Sequence, residues 1–76
     1  MEPEAIKSLL QAHFDDAAID VTVEGSHANL SIISNAFEGL NTLKRQQAVY
    51  GVLSEHIASG AIHAVNMKTQ TPQEAS

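Results

Sequence analysis

Hydrophobic positions along the chain switch between two periods, and the switches mark its elements. Ile6, Leu9, Leu10, His13 and Phe14 recur at i, i+3, i+4, i+7 and i+8, the spacing of a one-faced amphipathic helix. Pro3 suits its first turn, Glu2 and Glu4 sit at its positive end, and Asp15-Asp16 ends it. From Ile19 the period becomes two. Ile19, Val21 and Val23 alternate with Asp20, Thr22 and Glu24, which predicts a strand with one buried face. Gly25-Ser26-His27 reads as a hairpin loop, and Ala28, Leu30 and Ile32 alternate with Asn29 and Ser31 in a second strand. Ser34-Asn35 closes that strand.

The stretch from Phe37 to Leu53 then returns to helical spacing. Gly39 relaxes the backbone and Asn41 is the predicted N-cap. Leu43, Val49, Tyr50, Leu53 and Ile57 fall on one arc, with Gln46 inside it. Lys44, Gln47, Gly51 and Glu55 fall opposite. Gly51 predicts a break into two shorter helices, and Gly60 a C-terminal cap. Ala61 to Lys68 reads as a third strand, with Ile62, Ala64 and Asn66 on one face and His63, Val65 and Met67 on the other. Thr71-Pro72-Gln73-Glu74 has the form of a capping box. So little chain follows it that the final turn is expected to fray or the protein to end early.

The order is helix, strand, strand, one or two helices, strand and a short helical turn. A crossover through the central helix suits parallel pairing of the second and third strands with a right-handed connection. The expected architecture is a single α+β domain over residues 1–76, a two-layer fold of the type II K-homology kind with a three-stranded mixed sheet. One face of that sheet can stay open to solvent.

Composition narrows the function. Seventy-six residues make one small domain, and the chain has no cysteine, so it can supply no thiolate as nucleophile or soft metal ligand. Its net charge of −5 argues against general nucleic-acid binding. The acidic N-terminus lacks the form of a secretory signal, and no apolar run approaches a membrane span. A small acidic cytoplasmic domain is the expectation.

No triad, nucleophile elbow or glycine-rich phosphate loop is present, which points away from an enzyme. Four histidines remain. His13 lies on the apolar face of the first helix and His56 near the end of the central one, where structural roles are commonest. His27 lies in the hairpin loop, a position from which a side chain can meet a ligand. His63 stands beside apolar Val65 and Met67, and pattern alone favours a core-edge imidazole over a metal ligand. Lys44-Arg45 reads by default as a solvated helix face. With Lys68 it becomes a local positive patch for phosphate or a partner's carboxylates. A nucleic-acid clamp of the Gly-x-x-Gly type is absent: Gly39-Leu-Asn-Thr42 lacks the second glycine.

The series Phe37-x-Gly39, Arg45, Val49-Tyr50, Leu53, Ala61-Ile62-His63-Ala64 and Lys68-Thr69-x-Thr71-Pro72-x-Glu74 resembles the BolA family. Gly25-Ser26-His27, Lys44-Arg45-Gln46-Gln47 and Val49-Tyr50-Gly51 look most like its acid-stress branch, called IbaG. Gln46 stands where many members carry histidine. The resemblance implies partnership with a monothiol glutaredoxin and a two-iron two-sulfur cluster shared with that partner and glutathione, with none bound by the chain alone. It implies His63 and His27 as the imidazole ligands. Histidine ligation raises a cluster's potential relative to all-cysteine ligation. For His63 the resemblance outweighs the bland reading. Two alternatives come with the family: DNA-binding transcriptional regulation through a helix-turn-helix-like element, using Lys44, Arg45 and Lys68, and a metal-free adaptor role in acid stress.

Overall fold

A computed structural model describes residues 1–76. Helix α1 (Pro3–His13) opens with proline in its first turn and buries Ile6 and Leu10. Phe14 ends the helix. Its N–H donates to the Leu10 carbonyl at 2.7 Å, and its ring is buried beneath the helix. The Gln11 amide then donates to the carbonyls of Phe14 and Ala17, at 3.1 and 3.0 Å, and so closes the corner into the sheet.

Strands β1 (Ala18–Glu24) and β2 (His27–Ile33) form an antiparallel hairpin in which Glu24 pairs with His27. The loop is therefore Gly25-Ser26 alone. Only Gly25 takes a positive φ (62°), as a type II′ connection requires at its first central residue. The three-residue loop expected from sequence is corrected here: strand pairing draws His27 into β2. Ser34 closes β2, fully buried. Its hydroxyl donates to Asp16 at 2.7 Å and accepts from Ala36 N–H at 3.0 Å, starting a 3₁₀ turn over Asn35–Phe37. Asp16 also accepts from Asn35 N–H at 2.8 Å. These bonds, the Ser34 hydroxyl first, hold its carboxyl below the usual range.

Helix α2 (Thr42–Ala58) is capped as expected, Asn41 accepting from Lys44 N–H at 2.9 Å. It runs unbroken through Gly51, correcting the expected division. Val49 and Leu53 flank Gly51 with fully buried side chains, and this packing outweighs a propensity cost of about 1 kcal/mol. Gly51 itself is exposed, and a Cβ there meets nothing within 4 Å. Gly51→Ala is accordingly expected to raise the unfolding free energy by about 1 kcal/mol in urea titration. The apolar arc also needs correcting. Leu43 is 61% and Tyr50 41% exposed, so the line facing the sheet is Val49 and Leu53, with Ile57 half-buried.

Strand β3 (Ala64–Gln70) lies parallel to β2, Ala28 opposite Val65 and Leu30 opposite Met67, giving the order β1-β2-β3. It starts and ends later than expected, and the expected faces are corrected: Ile62 lies on the core side with Val65 and Met67, while Ala64 and Asn66 take the open face. Ile62, buried before the strand, is tied by its N–H to the His56 carbonyl at 3.2 Å. Helices α1 and α2 cover the face carrying Ile19, Ala28, Leu30 and Ile32, and Phe37 fills the centre of the core. The other face carries Asp20, Thr22, Asn29, Ser31, Asn66 and Lys68. This is the anticipated two-layer α+β fold. A final turn, α3 (Pro72–Ala75), carries the complete capping box.

Candidate functional site

Parallel pairing brings the N-terminal ends of β2 and β3 to the same end of the sheet. His27 opens β2 and pairs with Glu24 on one side and Ala64 on the other. His63 stands one residue before β3, and its N–H donates to the Ser26 carbonyl at 2.8 Å. That bond lies outside the regular β2–β3 ladder and holds the two histidine backbones close where the strands begin. Both side chains are exposed. Alternation sends His27 to the open face with Ala64, and His63 stands just before β3, exposed next to the buried Ile62. Its Nε2 lies 3.7 Å from where a Cβ on Gly60 would stand. Gly60 is held at φ 83° after α2, a conformation that favours glycine, so the same residue caps the helix and leaves room beside the ring.

Both imidazoles thus stand exposed at one end of the sheet, where the adjacent strands β2 and β3 begin. No group of three His, Cys, Asp or Glu side chains converges on one point. As a donor set the pair is incomplete. It offers two nitrogens of intermediate softness and needs the rest of a coordination sphere from another molecule.

The three cations fare differently. Arg45 is largely withdrawn into the fold, its side chain 13% exposed. Its Nε donates to the Leu40 carbonyl at 2.8 Å and Nη1 to the Thr69 carbonyl at 3.3 Å. The Glu74 carboxylate accepts from Nη1 and Nη2 at 2.6 and 3.1 Å, a bidentate pair. The guanidinium also lies 5.9 Å from the centroid of the Phe37 ring. Glu74 is held down at about 2, first by Arg45 and then by the Thr71 N–H. Arg45 thereby fastens α3 to the start of α2 and is not a free surface cation. Lys44 and Lys68 are exposed, but Lys44 is on α2 and Lys68 on the open face of the sheet, beyond the layer α2 covers. The sequence patch divides between the two layers. Sequence reasoning missed Ser26 as the backbone partner of His63. Its only local signal is the hairpin that makes Ser26 the residue before β2.

The family model described as BolA-like protein matches residues 5–74. The chain belongs to the BolA family. The acid stress protein IbaG of Escherichia coli K12 is 39% identical over 74 residues, covering 97% of this chain and 88% of that one. Among solved BolA structures, BolA1 from Arabidopsis thaliana superposes with a TM-score of 0.87 at 27% identity, each chain fully covered. The BolA domain of SufE1 from the same plant gives 0.85 at 30% identity, covering 95% of this chain and 93% of that one. The BolA fold is thereby established, and with it a kinship to acid-stress proteins. No helix is long and apolar enough to cross a membrane.

Proposed function

We propose that this BolA-family chain works as a binding protein, not a catalyst, and gives imidazole ligands to a two-iron two-sulfur cluster completed by a monothiol glutaredoxin and glutathione. The observation that carries this reading is that His27 and His63 stand exposed at one end of the sheet on adjacent strands, with the His63 backbone tied to Ser26 at 2.8 Å. An exposed pair of nitrogens on a braced rim suits ligation in which another molecule supplies the sulfur. The chain has no cysteine of its own to compete. Bound there, such a cluster would supply electron storage at a potential raised by histidine ligation, and His63 and His27 would supply its nitrogen ligands.

The test is to mix the chain with cluster-loaded monothiol glutaredoxin and record visible circular dichroism. His63→Ala is expected to abolish the signature that wild type produces, and His27→Ala to change it less. Both side chains are exposed, so the variants keep the fold. Identical spectra for wild type and His63→Ala would remove His63 from the site. The DNA-binding reading has less to stand on, because Arg45 is spent on Glu74 and two backbone carbonyls and the two lysines lie on different layers.

A further inference from the structure

The sheet has two edges, and they differ. At the C-terminal half of β3, Arg45 donates to the Thr69 carbonyl and α3 folds back. At the other edge β1 runs bare for seven residues without a proline, a lysine or a bulge. The two-residue hairpin decides which of its groups point outward. Glu24 and His27 flank the loop as a hydrogen-bonded pair, so alternation turns Thr22 and Asp20 toward β2 as well. The N–H and C=O groups of Ile19, Val21 and Val23 therefore face away from the sheet.

Beside this edge lies a groove of about 520 Å³ between β1 and the start of α1, with Pro3, Ile19 and Val21 in its walls. Glu2, Glu4 and Asp20 line it too, against Lys7 as its one cation. Glu24 continues the negative charge along the open face.

We infer that the β1 edge is a docking site for a basic extended segment of another protein, added as a fourth strand. Backbone pairing to Ile19, Val21 and Val23 sets the register. Alternate apolar side chains of the segment enter the groove against Pro3 and Val21, and the intervening basic ones meet Asp20 and Glu24. The charge chooses this occupant. Antiparallel pairing of two copies of β1 would gather both copies' Asp20 and Glu24 on one face with no basic residue in either strand to offset them, which disfavours a second copy of this chain. The surface centres on Ile19, Val21 and the groove, away from the histidine pair at the hairpin end, which it adjoins only through Glu24 beside His27.

The test titrates the ¹⁵N-labelled full chain at low salt with a capped seven-residue peptide of alternating lysine and valine. An alternating glutamate and valine peptide is the control. Amide shifts are expected at Glu2–Lys7 and Ile19–Val23 with the basic peptide only, with slowed hydrogen exchange at Ile19, Val21 and Val23. Val21→Pro removes one outward donor and no ladder bond, and is expected to weaken binding roughly fivefold. The triple variant Glu2→Gln, Glu4→Gln, Asp20→Asn changes only exposed carboxylates and is expected to lose most of the salt dependence. If Val21→Pro fails to fold, the triple variant decides. No shifts at millimolar peptide, shifts centred elsewhere, equal response to the acidic peptide, or wild-type affinity and salt dependence in the triple variant would each overturn the assignment.

Discussion

Phe37→Ala is expected to lower the unfolding free energy by about 3–5 kcal/mol in urea titration. Against a total of about 5–15 kcal/mol for a domain of ordinary stability, that is enough to leave a large part of the population unfolded on mild warming. The reason is the number of elements that meet on one ring. Phe37 is fully buried, lies 5.4 Å from the Phe14 ring that ends α1, and carries the Arg45 guanidinium 5.9 Å above it. It comes from a 3₁₀ turn pinned by Ser34 and Asp16, so the walls around it cannot collapse far into the void. Leu43→Ala, on the 61% exposed side of α2, serves as the contrast and is expected to stay within about 0.5 kcal/mol of wild type. Equal losses from the two substitutions would contradict this account of which side of α2 packs.

The second large effect is expected in acid. Glu74 has an ordinary value of 4.5 and is lowered to about 2 in the fold. A depressed carboxylate contributes stability that is fully present above the ordinary value and is lost as pH falls toward the folded one. Wild type should therefore lose stability between about pH 4.5 and pH 2 through this group, while Glu74→Gln starts less stable at neutral pH and shows a shallower acid slope. Asp16 is depressed as well, but it is present in both proteins, and the difference between them isolates Glu74. Arg45→Met should match Glu74→Gln in removing the slope and should in addition leave the Leu40 and Thr69 carbonyls without their donor. Thermal melts across pH 2.5–7 test this; parallel curves for wild type and Glu74→Gln would show that the pair does not govern acid stability.

The features legible in the sequence are those written in neighbouring residues. Period two marked β1 and β2 because one face of each is buried and the other is not. Asn41 and Thr71 announced their caps because a cap is satisfied within three residues. Arg45 was illegible for the opposite reason. Its carbonyl partner Thr69 and its carboxylate partner Glu74 lie 24 and 29 positions along the chain, so a basic pair on a helix looked like a solvated surface. Leu43 and Tyr50 misled because helical spacing shows that a stripe exists but not how wide the packed part is. The sheet and α1 cover the line through Val49 and Leu53 and leave the flanking positions in water. For the histidines, the pattern alone favoured a core-edge role for His63, and the family resemblance brought His63 and His27 forward. Their placement side by side depends on the parallel register of β2 with β3, which no local pattern encodes.

That register also orders events in time. The β1–β2 hairpin closes through two residues and can form early, carrying His27 with it. Pairing β3 to β2 must bring Ala64 back to His27 across the whole of α2, a non-local closure of the kind that slows folding. A nascent chain can therefore hold His27 in a formed hairpin while His63 is still unpositioned. The two histidines come side by side only with that long-range pairing, so a partly folded molecule holds one of them in place and a finished one holds both.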